Sequence, residues 1–215
     1  MEEKTQKTSK IDERPEVIVV RNWKEYLGES LLIVFSVALA IILTEVFTKI
    51  HEDRQTREIL RQLRQELISN NEAEEIQYQY HLRVLHNIDS ALEDEKYRKT
   101  FIDSGNVHLT IIAPYGVMRK DLNDVAWQVA KENNIVSKLD LKTYSLLTDI
   151  YDNQQRIIKS EDEIGKVLLS YESRKPENAK ITLILVRDNY HAWAVDRAPD
   201  LLEKYKKAIN ELNDY

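Results

Sequence analysis

Residues Leu31 to Leu43 read LLIVFSVALAIIL. Ser36 is the one polar side chain in this run, and its hydroxyl can bond back to its own helix. The run alone is too short to cross a hydrocarbon core, which takes about 20 residues of helix. Extending it from Leu27 to Phe47 supplies that length and adds Glu29 and Glu45 near the two ends. An acid at bilayer centre costs about 2.5–3.5 kcal/mol on insertion scales, and less where it reaches the interface. Trp23 and Tyr26 suit one interface, and the Lys49 ammonium can snorkel to the other. The stretch therefore reads as a membrane-spanning helix over residues 27–49.

Three other readings compete and are weaker. The core helix of a soluble protein normally keeps a polar stripe, and this run has none. A cleaved signal peptide would be followed by small residues at a cleavage site, and the stretch before this run is long and mixed in charge. An interfacial segment would show an amphipathic face. Lys10, Arg14, Arg21 and Lys24 lie on one side of the run, and Lys49, Arg54, Arg57, Arg61 and Arg64 on the other. The positive-inside rule counts such residues near the span, and here the two sides nearly balance.

Residues 1–26 precede the run. Residues 1–15 are polar and read as a tail. Residues 16–27, EVIVVRNWKEYL, place Val17, Val20, Trp23 and Leu27 at helical spacing, for a short helix against the headgroups. The β-branched run Val17 to Val20 is equally consistent with an extended segment.

Beyond the run, residues 50–99 contain neither Gly nor Pro. Ile59, Leu60, Leu63, Leu67 and Ile68 form a helical stripe, which Ile76, Tyr80, Val84, Leu85, Ile88 and Leu92 resume. Residues 70–75 interrupt the apolar pattern, so the expectation is a long charged helix kinked or interrupted near Asn70. Apolar residues do not hold both core positions for several heptads, which argues against a strict coiled coil and for packing on the same chain.

Residues 100–215 read as the rest of a mainly α, multi-helix soluble domain that packs with 50–99. Asp103-Ser104-Gly105-Asn106 signals a turn. Val107 to Ala113 is short and β-branched, a strand or a buried helical turn, and stops at Pro114-Tyr115-Gly116. A helix is expected from Leu122 to about Asn133, with Leu122, Val125, Ala126 and Val129 on its apolar face. Asp140 is the expected N-cap of the next helix, with Tyr144, Leu147, Ile150 and Tyr151 at helical spacing up to about Tyr171. Lys175 to Asn178 reads as a loop, with Ser173 just before it as an accessible position. Further helices are expected from Ile181 to about Val195 and from Pro199, the last using Leu201, Tyr205 and Ile209.

Composition supports this outline. The 215 residues carry a net charge of −6, and the 4 Gly and 4 Pro leave few tight turns, which favours long helices. The acidic balance argues against a general nucleic-acid binder. With 0 Cys there is no disulfide, thiolate ligand or cysteine nucleophile.

The order of pieces resembles a family of uncharacterised bacterial single-pass membrane proteins, with an N-terminal spanning helix and a helical domain. A Gly-Glu pair enters the apolar helix, here Gly28-Glu29. A charged helix follows with Leu60, Leu63, Glu66 and Leu67, ending in Asn70-Asn71. Then come a Trp-centred helix, Trp127-Gln128-Val129-Ala130, and a helix with Leu139, Leu146, Leu147 and Tyr151. The family is strongly basic before its apolar helix, which implies a cytoplasmic N-terminus and an extracytoplasmic domain; this chain is mixed in charge there. The resemblance implies architecture and no activity.

The histidines His51, His81, His86, His108 and His191 show no metal-ligand spacing. His81 and His86, five apart, fall on different sides of a helix. They read as surface or interface residues. No glycine-rich phosphate loop and no nucleophile elbow occurs. Asp121 with Asp124, and Glu161-Asp162-Glu163, read as solvated faces. Arg54, Arg57, Arg61 and Arg64 form a stripe at spacings of 3, 4 and 3, solvated and paired with nearby Glu more plausibly than bound to headgroups. At 1.5 Å per residue, Arg61 and Arg64 stand about 20 Å beyond the span, past a Debye length of about 8 Å. Trp127 and Trp193 read as core aromatics sooner than as the lining of a ligand pocket. No catalytic residue, cofactor or metal ligand is expected. The expected partners are the lipid bilayer and another protein or a second copy of the chain, with small-molecule sensing as the alternative.

Overall fold

The computed structural model describes residues 23–215. The expected tail, and the juxtamembrane segment up to residue 22, lie outside the described residues. The chain divides into two units, residues 1–51 and 52–215.

A single helix, α1 (Trp23–Glu93), runs through both. Its apolar stretch is the one described helix long and apolar enough to cross a membrane. Leu31, Val34 and Phe47 are each about two-thirds exposed. The Ser36 Oγ donates to the Leu32 carbonyl at 2.8 Å, and the Thr44 Oγ1 to the Ala40 carbonyl at 2.8 Å. Both hydroxyls are thereby satisfied within the helix, as apolar surroundings require.

In the second unit, α1 is not interrupted near Asn70. The polar residues there face inward and find partners in the core, so the helix has no reason to break. Nor does α1 reach Lys99. It ends at Glu93 because the Asp94 carboxylate accepts the N–H groups of Lys96 and Tyr97 and starts a new helix, α2 (Glu95–Phe101). Arg98 donates to the Leu92 carbonyl at 2.8 Å, closing the end of α1.

Residues 107–113 form neither a strand over their length nor a buried helical turn: Val107 ends a two-residue strand, and the short turn after it has no buried residue. β1 (Ile102–Asp103) and β2 (Asn106–Val107) pair antiparallel, Ile102 opposite Val107 and Asp103 opposite Asn106. Ser104 and Gly105 make the turn with φ of 50° and 81°. A 3₁₀ turn over Leu109–Ile111 follows. From Ile112 to Asp124 the chain has no regular structure. We call this the connector.

The next helix, α3 (Val125–Glu132), starts at Val125 and not at Leu122. Its buried face carries Trp127 and Ala130, while Val125, expected in the core, is 66% exposed. Helix α4 (Leu141–Leu169) is capped by Asp140, which accepts the N–H groups of Lys142 and Thr143. Helix α5 (Ala179–Tyr190) continues into a π-helical turn at His191–Val195, and α6 (Ala198–Glu211) has Pro199 in its first turn. Both α5 and α6 pack on α4. Ser173 is buried, bonded to Ser170 and, through its carbonyl, to Thr182. It is therefore not the accessible loop position that Pro176 suggested.

Two apolar clusters form the core. One gathers Leu63, Leu67, Trp127, Leu147, Ile150 and Leu201. The other gathers Val84, Ile88, Phe101, Ile164, Leu183 and Val186. Each large side chain buried this way contributes about 1.5–3 kcal/mol. Trp193 belongs to neither cluster: it is half-buried, with Lys159 and Arg197 against its ring. Ile76, placed on the apolar stripe by periodicity, is 41% exposed.

Candidate functional site

A polar ladder on α1 separates the two clusters. Glu66, Asn70, Glu74, Gln77 and His81 follow at spacings of 4, 4, 3 and 4, one helical face. The last four are essentially inaccessible to water. A buried polar group costs stability unless it is hydrogen-bonded. Here the partners are mostly backbone groups of the connector and of the start of α3.

Asn70 accepts from the Asn123 N–H at 2.9 Å and donates to the Asn123 carbonyl at 2.6 Å. Gln154 of α4 donates to the same carbonyl at 2.8 Å, and the Tyr205 hydroxyl donates to Gln154 at 2.7 Å. The Gln77 carbonyl oxygen accepts the N–H groups of Arg119 and Lys120 at 2.7 and 2.8 Å. With that oxygen committed, its amide N–H₂ faces the His81 Nε2 and the Met118 sulfur. Tyr80, beside the ladder, donates to the Gly116 carbonyl at 2.6 Å, and Asn87 to the Ile112 carbonyl at 2.9 Å.

Glu66 explains where α3 starts. Its carboxylate accepts the N–H groups of Ala126 and Trp127 at 2.7 and 3.3 Å, and the Tyr151 hydroxyl at 2.7 Å. A carboxylate at a helix N-terminus satisfies orphan donors and complements the helix dipole. The side chain of Asp124, the residue adjoining α3, makes no such cap. Leu122 and Asn123 cannot extend α3 backward, because the Asn123 backbone is taken up by Asn70 and Gln154.

His81 corrects the expectation that the histidines are surface groups. It is 1% exposed, edge-on to Tyr190 with ring centroids 5.0 Å apart, and its Nε2 lies 3.2 Å from the Val117 carbonyl. Burial holds its pKa down at about 4, so the ring is neutral at pH 7. His86 points out on another side of the same helix. Among the described residues no group of three or more His, Asp or Glu could hold a metal ion.

Glu74, together with the His81 Nδ1, is the exception on the ladder. It is 0% exposed, and neither carboxylate oxygen has a hydrogen-bond partner. Burial alone raises its pKa from 4.5 to about 8. The residue stands one helical turn from both Asn70 and Gln77, so the ladder passes through a neutral carboxylic acid at pH 7. Nothing in the sequence separates it from the 36 other acids and their solvated faces; only its place on the inward face of α1 does.

On the surface, a groove of about 450 Å³ opens between the hairpin, the connector and α4. Val107, Leu109, Val117 and Leu168 line it, with Glu161 and Arg174 at hand for polar contacts. Leu169 also lines it, 71% exposed, and Tyr171 follows at 77%. This is a place for apolar side chains flanked by one charge of each sign. The arginine stripe supplies no comparable site. Arg61 pairs with Glu58 through two bonds of 2.7 and 3.1 Å, which draws the Glu58 carboxyl down to about 2. Arg64 donates to the Ile209 carbonyl at 3.2 Å, fastening α6 to α1. Asp124 accepts from Gln128 and Gln155, while Asp121, Glu161 and Asp162 are exposed.

In comparisons with known proteins the chain matches no family model, no curated protein and no solved structure.

Proposed function

We propose that this chain is a single-pass membrane protein whose helical domain is a non-enzymatic interaction module, holding another protein, or a second copy of itself, at the membrane. The observation that carries the reading is the apolar stretch of α1, whose side chains from Leu27 to Phe47 stand exposed. Leaving so much apolar surface in water is unfavourable by roughly 25 cal/mol per Å², and a bilayer removes that cost. The family resemblance supports the same layout and favours an extracytoplasmic domain. On the domain itself, the groove beside Leu169 and Tyr171 supplies exposed apolar surface of the kind that marks contact sites.

The test has two parts. Carbonate washing should leave the chain in the membrane; its release would refute the spanning helix. A photo-crosslinking amino acid at Leu169 should give a discrete protein adduct in intact cells, lost when Leu168 is changed to Asp. Uniform labelling insensitive to that substitution would refute the groove as a contact surface. The second reading, small-molecule sensing, would draw on the same groove, whose volume lies within the range of ligand pockets.

A further inference from the structure

The orphan carboxyl of Glu74 stands where α6 lies against α1. Arg64 bonds the Ile209 carbonyl, Lys206 lies 3.4 Å from the Glu75 carboxylate, and Tyr205 of α6 is buried in the same apolar cluster as Leu67 of α1. These three features bracket Glu74 at the α1–α6 seam. On either side of it the ladder is tied to the connector, through Asn70 and through Gln77.

We propose that Glu74 is a proton-binding site that couples proton uptake to the closing of α6 over α1. With α6 closed, the carboxyl is buried without a donor and exists as the neutral acid. When α6 lifts, water reaches the group, its O–H bond breaks, and one proton leaves to solvent. Closing reverses this and takes up one proton. The opening equilibrium therefore shifts toward the open form as pH rises, until the closed form is itself ionised.

The neighbouring ionisable groups do not obscure this. From α6, Tyr205 faces Glu74, with its pKa raised by burial, and Lys206 is exposed. From the connector come Arg119, Lys120 and Asp121, all exposed. From α4, Gln154 and Ser160 do not titrate, and Tyr151 is raised by burial and by Glu66. Tyr190 of α5 is raised by burial, while His191 in the π turn is exposed and contacts Asp196. On α1 itself, Glu75 is exposed, Glu66 is engaged by α3, and His81 titrates with its pKa held down at about 4.

Hydrogen exchange of the full-length chain in detergent tests the coupling, read on peptides from α6 and corrected for the intrinsic pH dependence of exchange. Between about pH 6.5 and pH 8 the opening constant of α6 should rise nearly tenfold per unit at first and more slowly as the closed form ionises, roughly 15-fold in total. In E74Q it should stay level. A level response in the native chain, or an undiminished rise in E74Q, overturns the proposal. Should E74Q fail to fold, native protein carrying carboxyl-labelled glutamate decides by infrared spectroscopy. A protonated-carboxyl band present at about pH 6.5 and lost by about pH 9.5 is expected, and its absence at the lower pH overturns the proposal.

Discussion

Glu74 and His81 sit two turns apart on one helix face, both buried, and their effects on stability have opposite signs. The Glu74 carboxyl is raised from 4.5 to about 8 in the folded chain. Its contribution is full below pH 4.5 and is lost as pH rises toward 8. His81 is lowered from 6.5 to about 4. Its contribution is full above pH 6.5 and is lost as pH falls toward 4. Between pH 4.5 and 6.5 the two slopes cancel, so stability should be nearly level. Between 6.5 and 8 only Glu74 acts, and 1.5 units at about 1.36 kcal/mol per unit cost about 2 kcal/mol. The exposed acids with lowered pKa values, Glu58 and Asp140, act below this range. Urea unfolding of the full-length chain in mild detergent, followed by far-ultraviolet circular dichroism, should show the plateau and then the fall. Glu74→Gln should abolish the fall above pH 6.5 and unmask a decline toward low pH, where His81 is left unopposed. A native curve that is flat from 6.5 to 8, or a Glu74→Gln curve with the same fall, would refute the reasoning.

Other perturbations follow from the ladder and the surface. Gln77→Ala removes the acceptor of two backbone N–H groups and a contact to His81. It should cost about 3 kcal/mol in urea unfolding and speed amide exchange at residues 119 and 120, and a loss within 0.5 kcal/mol would show the connector to be held otherwise. Glu66→Ala strips α3 of its cap and Tyr151 of its acceptor, for a loss of about 2–3 kcal/mol by the same measurement. Leu141, 82% exposed, should tolerate replacement by Gln within about 0.5 kcal/mol of native stability. For topology, a cysteine at Glu177, which is exposed, should label fully with an impermeant thiol reagent on intact cells if the domain lies outside, and only after lysis if inside. A cysteine at Ser173 should label slowly on either side because that position is buried.

The helical layout was legible where local chemistry decides it. The apolar run from Leu31, the turn at Ser104-Gly105, the cap at Asp140 and Pro199 in the first turn of α6 each carry a short-range signal. Periodicity went astray where a polar residue faces inward. Asn70 and Glu74 look like a break in an apolar stripe, yet with Gln77 they form the seam between two apolar clusters. The start of α3 was misplaced for a related reason: its cap comes from Glu66, some sixty residues earlier, and no local pattern reports that. Trp127, a core aromatic by its helical setting, is buried, whereas Trp193 has the same local setting but lies in a π turn that leaves its ring partly open. The surface groove draws its walls from the hairpin, the connector and α4, so no single segment foretold it.

The spacing of the ladder turns α1 into a ruler against which the connector is measured. Each residue added to a helix rotates everything beyond it by about 100°. One residue inserted between Glu66 and Asn87 would swing part of the ladder away from the connector and expose its backbone groups unpaired. Related chains that keep this domain should therefore vary in length at the hairpin tip, or between α4 and α5, and hold α1 constant across that interval. Seven residues added or removed together, close to two full turns, is the smallest change that returns most of the face to register.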